Sequence, residues 1–174
     1  MLKNYNKYKI LKIFLENPTE QWRLRQISKE CKIAPLSVMN YLKEFEKEDL
    51  IKKTIKNKIP LYQSNQDNEN FKVYKKISII YEINESKLID FLWEKLAPKA
   101  IILYGSQAKG ESTEQSDIDL FIIGKGKKID LYQFEKKLKK TIHIIFEEDI
   151  KKISNELKNN LINGIVLKGY LKLI

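Results

Sequence analysis

Two short patterns, set one loop apart, constrain this chain more than anything else in it. Gly105-Ser106 follows directly on the apolar run Ala100-Ile101-Ile102-Leu103-Tyr104, and Asp117-Ile118-Asp119 opens the apolar run that ends at Ile123. Short apolar runs bounded by turn residues predict buried strands. A glycine after a strand lets the backbone approach an anion closely. The N–H groups that follow open a helix-like turn that favours phosphate, and the Ser106 hydroxyl adds a donor. Asp117 and Asp119, one residue apart on a predicted strand, leave the same face with Cα atoms about 6–7 Å apart, while Ile118 points into the core. Two adjacent carboxylates repel each other, and a divalent cation held by oxygen ligands resolves the repulsion. Either pattern alone carries little. Together, in GSQAKGESTEQSDIDLFI, they describe a phosphate cradle beside a metal-holding pair, a site for metal-assisted phosphoryl transfer.

The surrounding sequence supplies a sheet for this site. Ile142 to Phe146 reads as a third strand, and a Lys-rich helix over about Leu131–Lys140 lies before it. The tail reads as one helical segment after Glu147 and another from about Asn160, with Leu161, Ile165, Leu167 and Leu171 as its apolar positions. Strands alternating with helices imply a small sheet covered by helices.

The first third is patterned differently. Tyr5, Tyr8, Ile10, Leu11, Phe14 and Leu15 recur at helical spacing until Asn17-Pro18, and Leu24, Ile27 and Cys31 mark a second helix. Pro35 suits the first turn of a third helix, which runs to about Asp49 with Val38, Leu42 and Phe45 on one stripe. Ile51–Ile55 and Pro60–Gln63 read as strands around the polar tip Lys56-Asn57-Lys58. Gln63 to Glu69 is the most polar stretch and marks a boundary. Two helical patterns follow, one through Phe71, Val73, Tyr74 and Ile77, the other through Leu88, Phe91, Leu92 and Leu96. The expected class is α+β, in three parts: residues 1–66, a helical connector over 67–98, and a small mixed sheet with helices over 99–174.

Charge separates the same parts. Lys and Arg exceed Asp and Glu by 10 over the 174 residues: by 7 in residues 1–64 and 4 in residues 99–174, with a deficit of 1 between them. A basic excess suits a polyanionic partner, although a chain rich in Lys, Ile and Asn also acquires one by composition alone. A single cysteine, Cys31, excludes an intrachain disulfide and a cysteine-based zinc site, and it reads as a buried thiol. No run approaches the ~20 apolar residues of a membrane span, and the first residues lack a secretory pattern. The expectation is a soluble, cytoplasmic protein with no membrane partner.

The spacing GS-x10-D-x-D resembles the signature of the nucleotidyltransferase superfamily typified by DNA polymerase β, most closely its minimal members. The resemblance is clear over about Ala100–Phe146. It implies Gly105 and Ser106 as the triphosphate-binding pair and Asp117 and Asp119 as catalytic ligands of Mg²⁺ or Mn²⁺. Lys109 has two readings, phosphate contact or solvent exposure. Active members generally carry a third carboxylate on a later strand; the matching strand here offers His143, and Glu147 lies about 13 Å further along. Three readings of His143 stay open: a metal ligand or proton acceptor, a hydrogen-bonded residue in a site that has lost catalysis, or an exposed side chain if the register slips by one.

Residues 34–62 resemble the winged helix-turn-helix of prokaryotic transcription regulators, with Leu42, Phe45, Leu50 and Ile51 at core positions. Such a unit puts Pro35, Ser37, Asn40 and Tyr41 of the third helix toward bases, and Arg23, Arg25, Lys43, Lys52, Lys53, Lys56 and Lys58 toward phosphate. A protein-docking role is the alternative. Taken together, the resemblances imply nucleoside monophosphate transfer from an NTP to a hydroxyl, with DNA or a protein recruited by the winged helix. A catalytically impaired DNA-binding regulator and an antitoxin-like component of a toxin–antitoxin pair are the competing readings, and a homodimer stays open.

Overall fold

The computed structural model describes residues 5–171. The chain divides into two compact units, with the boundary between Lys75 and Lys76.

In the first unit, α1 (Asn6–Glu16), α2 (Leu24–Cys31) and α3 (Pro35–Lys47) precede an antiparallel hairpin of β1 (Ile51–Lys56) and β2 (Ile59–Ser64). Asn17 ends α1, its side-chain amide donating to the Ile13 carbonyl at 3.0 Å. Lys32, in the left-handed region at φ 55°, stops α2, and Pro35 starts α3 two residues after Ile33. At the hairpin tip Asn57 and Lys58 both have positive φ, the requirement of a two-residue turn whose twist matches the strands. A further bridge ties Trp22 to Tyr62, through backbone bonds of 2.8 and 2.9 Å. The apolar stripes of all three helices meet in one core around Phe14, Ile27, Leu42 and Phe45, closed by Leu50, Ile51, Tyr62 and Phe71.

α4 (Glu69–Ser86) crosses the unit boundary, and α5 (Leu88–Leu96) leads to the second unit's sheet. That sheet has the order β5-β4-β3-β6, built from β3 (Ala100–Tyr104), β4 (Ile118–Ile123), β5 (Ile142–Glu147) and β6 (Ile165–Gly169). β3 is antiparallel to both neighbours and β4 is parallel to β5, so the sheet is mixed. α6 (Gly105–Lys109) links β3 to β4, α7 (Tyr132–Leu138) links β4 to β5, and a short 3-10 turn (Ile150–Lys152) with α8 (Asn155–Ile162) links β5 to β6. Alternate strand residues supply two cores. Ile101, Leu103, Ile118, Leu120 and Ile122 pack with Ile83, Leu92 and Phe134; Ala100, Ile102, Phe121 and Ile123 pack with Leu161.

The tail differs from its expected form. The pattern over Leu161, Ile165, Leu167 and Leu171 is not one helix: α8 stops at Ile162, Gly164 follows, and Ile165–Gly169 becomes the edge strand β6. β3 would otherwise present unpaired N–H and C=O groups, and the β-branched pair Ile165-Val166 meets that demand by pairing with Leu103 and Ile102. Among the described residues no helix is long and apolar enough to cross a membrane.

Candidate nucleotidyl-transfer site

Everything sits where β3 ends and β4 and β5 begin. Tyr104 pairs with Asp119, and Asp119 pairs with His143, so these three residues form one row across three strands. Their parity is that of Ile102 and Phe121, which puts the row on the sheet face packed against α8. Asp117 precedes the first residue of β4 rather than lying within the strand. It still reaches the same face, because its Oδ2 lies 3.1 Å from His143 Nε2. Ile118 pairs with Ile142, and His143, an exposed side chain, is on the side of the aspartates in this register.

Gly105 has φ +70° and opens α6, turning the chain sharply out of β3. A Cβ there would fall 2.3 Å from Asp119 Oδ2. Glycine is therefore required twice, for its backbone conformation and for the carboxylate packed against it. Gln107 and Ala108 of α6 are buried, which leaves Ser106 half-exposed and Lys109 exposed. The first N–H groups of α6 have no partner within the helix, so the turn at Gly105-Ser106 presents donors beside the carboxylates.

The electrostatics follow from this packing. Desolvation raises the Asp119 carboxyl above its ordinary range; His143 counters that and Asp117 adds to it. Tyr104 is raised as well, first by burial and then by Asp119. The His143–Asp117 contact is well exposed, at 59% and 42% of the two side chains, so as an ion pair it contributes at most about 1 kcal/mol.

Three side chains hold this arrangement that the spacing of the motif does not announce. Lys140, half-buried just before β5, places its ammonium 3.2–3.4 Å from the carbonyls of Thr113, Glu114 and Ser116. Gln107 donates to the same Ser116 carbonyl at 3.4 Å, and Ser116 Oγ accepts the Thr113 N–H at 2.8 Å. The loop is thus fixed up to the residue before Asp117. Lys140 lies in a run of lysines that gives no cue to a special member. Tyr104, by contrast, was accessible from strand parity once β3 and β4 are paired.

The donor set is two carboxylates and an imidazole. Among the described residues, no group of three His, Cys, Asp or Glu side chains is arranged to hold a metal ion. Glu147 pairs with Ile123, four residues along β5 from His143, and its Oε1 accepts the N–H groups of Glu148 and Asp149. Two adjacent carboxylates nevertheless fit one Mg²⁺ that draws its remaining ligands from phosphate and water, the usual way that ion is held.

In the first unit the expected contact residues lie on α3 and the hairpin. Pro35, Asn40, Lys43, Lys56 and Lys58 are exposed, Ser37 is half-buried, and Tyr41 packs against the core. Lys52 pairs with Asp67 at 3.6 Å, and Lys53 lies over the Tyr62 ring.

Residues 86–171 match the family described as "Polymerase beta, Nucleotidyltransferase". No curated protein matches the chain significantly. Among solved structures, a crystal structure of a Sulfolobus solfataricus protein provisionally named a nucleotidyltransferase is 15% identical, covers 61% of this chain and 97% of its own, and has a TM-score of 0.33. Over residues 86–171 the chain is similar to the nucleotidyltransferase domain of the polymerase beta family, the segment in which Gly105, Ser106, Asp117 and Asp119 lie.

Proposed function

We propose that the second unit transfers a nucleoside monophosphate from an NTP to a hydroxyl acceptor. The observation that carries this is the meeting of the Gly105 turn with the Asp117/Asp119 pair at one end of the sheet, inside the segment that matches the family. In this reading the acceptor oxygen forms a bond to the α-phosphorus, the bond from that phosphorus to the bridging oxygen breaks, and pyrophosphate leaves. The N–H groups at Gly105-Ser106 and the Ser106 hydroxyl orient the triphosphate, with exposed Lys109 available to its outer oxygens. Asp117 and Asp119 would hold Mg²⁺ or Mn²⁺, which would supply neutralisation of the charge that develops on phosphate. His143, as a neutral imidazole, takes the proton from the acceptor hydroxyl; its neighbour Asp117 steadies the resulting imidazolium.

The first unit, in the same reading, is a winged helix-turn-helix that recruits DNA or a protein. Three helices followed by a hairpin with an exposed lysine-bearing tip support it. Asn40 and Ser37 would face bases, with Tyr41 and Pro35 shaping the approach of α3, while Lys43, Lys56 and Lys58 contact phosphate.

One observation favours a second reading. His143 occupies the place where a third carboxylate is expected and already bonds to Asp117, which suits a domain that binds nucleotide without turning it over. Incubation with labelled NTPs and Mg²⁺ or Mn²⁺ separates the two. Label transferred to protein or nucleic acid, and lost in Asp117→Ala/Asp119→Ala, supports the enzyme. Retained NTP binding with no transfer to any acceptor supports a regulator.

A further inference from the structure

At the other end of the same unit lies a hollow that the transferase reading does not use. Phe91 and Lys95 are one turn apart on α5 and share a face. Phe91 packs on Phe134 of α7, with ring centroids 4.9 Å apart and planes tilted by 43°. The loop from β4 to α7 returns past this aromatic pair, and Lys127, Lys128 and Tyr132 complete the walls of a cavity of about 530 Å³. Tyr132 is 69% exposed although it sits beside an aromatic cluster. Lys95, Lys127 and Lys128 are exposed, and none forms an ion pair with a described residue. Asp130, the lone carboxylate of the lining, has its Oδ1 engaged by the Tyr132 N–H at 2.9 Å.

Cations without local partners, set around an exposed ring, ask for a ligand that carries both phosphates and flat apolar groups. An acidic peptide supplies negative charge as carboxylates, without a flat ring beside each charge. A duplex hides its bases from a ring. We propose that this hollow binds a single-stranded polynucleotide, with phosphates against Lys95, Lys127 and Lys128 and one base against Tyr132. The hollow opens beyond the C-terminal end of β4, five residues and roughly 17 Å along the strand from Asp119, so the strand and a metal-bound nucleotide do not compete. This holds whether or not the second unit is catalytic.

Fluorescence anisotropy of the full chain with a labelled oligothymidylate, over a series of salt concentrations, tests it. Lys127→Glu/Lys128→Glu should weaken binding at low salt at least tenfold and lower the salt slope by about 0.7 for each lysine lost. Tyr132→Ala should weaken binding roughly fivefold or more while leaving the slope unchanged. All three side chains are exposed, so these variants should fold like the parent, as their circular dichroism would register. Lys56→Glu/Lys58→Glu, on the hairpin of the first unit, should weaken single-strand binding less than Lys127→Glu/Lys128→Glu does. The proposal is overturned if the hollow variants bind like the parent, if the hairpin variant alone abolishes binding, or if polyglutamate competes as well as unlabelled oligothymidylate.

Discussion

The two units put lysine to different uses. On the first, Lys43, Lys56 and Lys58 stand in solvent, and Lys52 reaches only an exposed Asp67. Such charges sum to a field and fix no atom in place. In the second, the half-buried Lys140 gathers three loop carbonyls immediately before Asp117. At Lys140 the charge positions a carboxylate instead of attracting a partner, unlike Lys95, Lys127 and Lys128 of the same unit, which stand in solvent. A net charge of +10 combines the two uses and describes neither.

The largest way to break the second unit is at Gly105. Gly105→Ala puts a methyl group 2.3 Å from Asp119 Oδ2 and forces an L residue to φ +70°. Strain of this kind costs about 1–3 kcal/mol. In the proposed transferase reading, the displaced carboxylate should also lower nucleotide transfer at least tenfold. Thermal unfolding and a transfer assay on the same preparation would show it, and full activity at the parent's melting temperature would refute the packed-carboxylate geometry.

Lys140→Met keeps the aliphatic stem and removes the charge. Hydrogen bonds from a charged donor are each worth about 1.5–3 kcal/mol at most; with three long ones partly exposed to water, a loss of about 1–2 kcal/mol is expected. Limited proteolysis should then cut first within Thr113–Ser116, and Mn²⁺ affinity should fall. Lys140→Arg should restore much of both. If the methionine variant resists protease like the parent, the lysine is a surface charge like those of the first unit.

Sequence and structure agree unevenly across this comparison. In the first unit apolar spacing defined the elements: Val38, Leu42 and Phe45 are fully buried, and the hairpin turns at Asn57-Lys58. Spacing said little about Tyr41, whose ring packs against the core because it borders the apolar stripe. In the second unit the reverse holds. The acidic pair and the glycine turn are visible as residues because their types and spacing stand out from the apolar runs around them. β6 is not visible, since its strand state comes from the unpaired edge of β3 and not from its own pattern, which also fits a helix. Lys140 was hidden for the same reason: its role depends on a loop 24 to 27 residues away.

A smaller effect sharpens the first unit's side. If the first unit recruits DNA as proposed, Lys56→Glu/Lys58→Glu should reduce the salt slope of duplex binding by about 2, near one per lysine, without moving the melting temperature. An unchanged slope would turn the hairpin from a phosphate contact into a protein-docking surface.

The smallest effect bears on the price of the site itself. Burial raises the Asp119 carboxyl above its usual range, so between the ordinary value and the raised one the unfolded chain is ionised while the native chain still holds the proton. The native state binds more protons across that window, and stability must fall as pH rises through it. Asp119→Asn removes the ionisation. At neutral pH the variant should melt at or above the parent by on the order of a few degrees, and the gap should close as pH falls below the ordinary carboxylate range. Mn²⁺ should narrow the gap from the other side, raising the parent's melting temperature by mass action and leaving the variant nearly unmoved. A variant less stable than the parent at neutral pH without metal would mean that Asp119 is held by favourable contacts and not kept, at a cost, for the charge it carries.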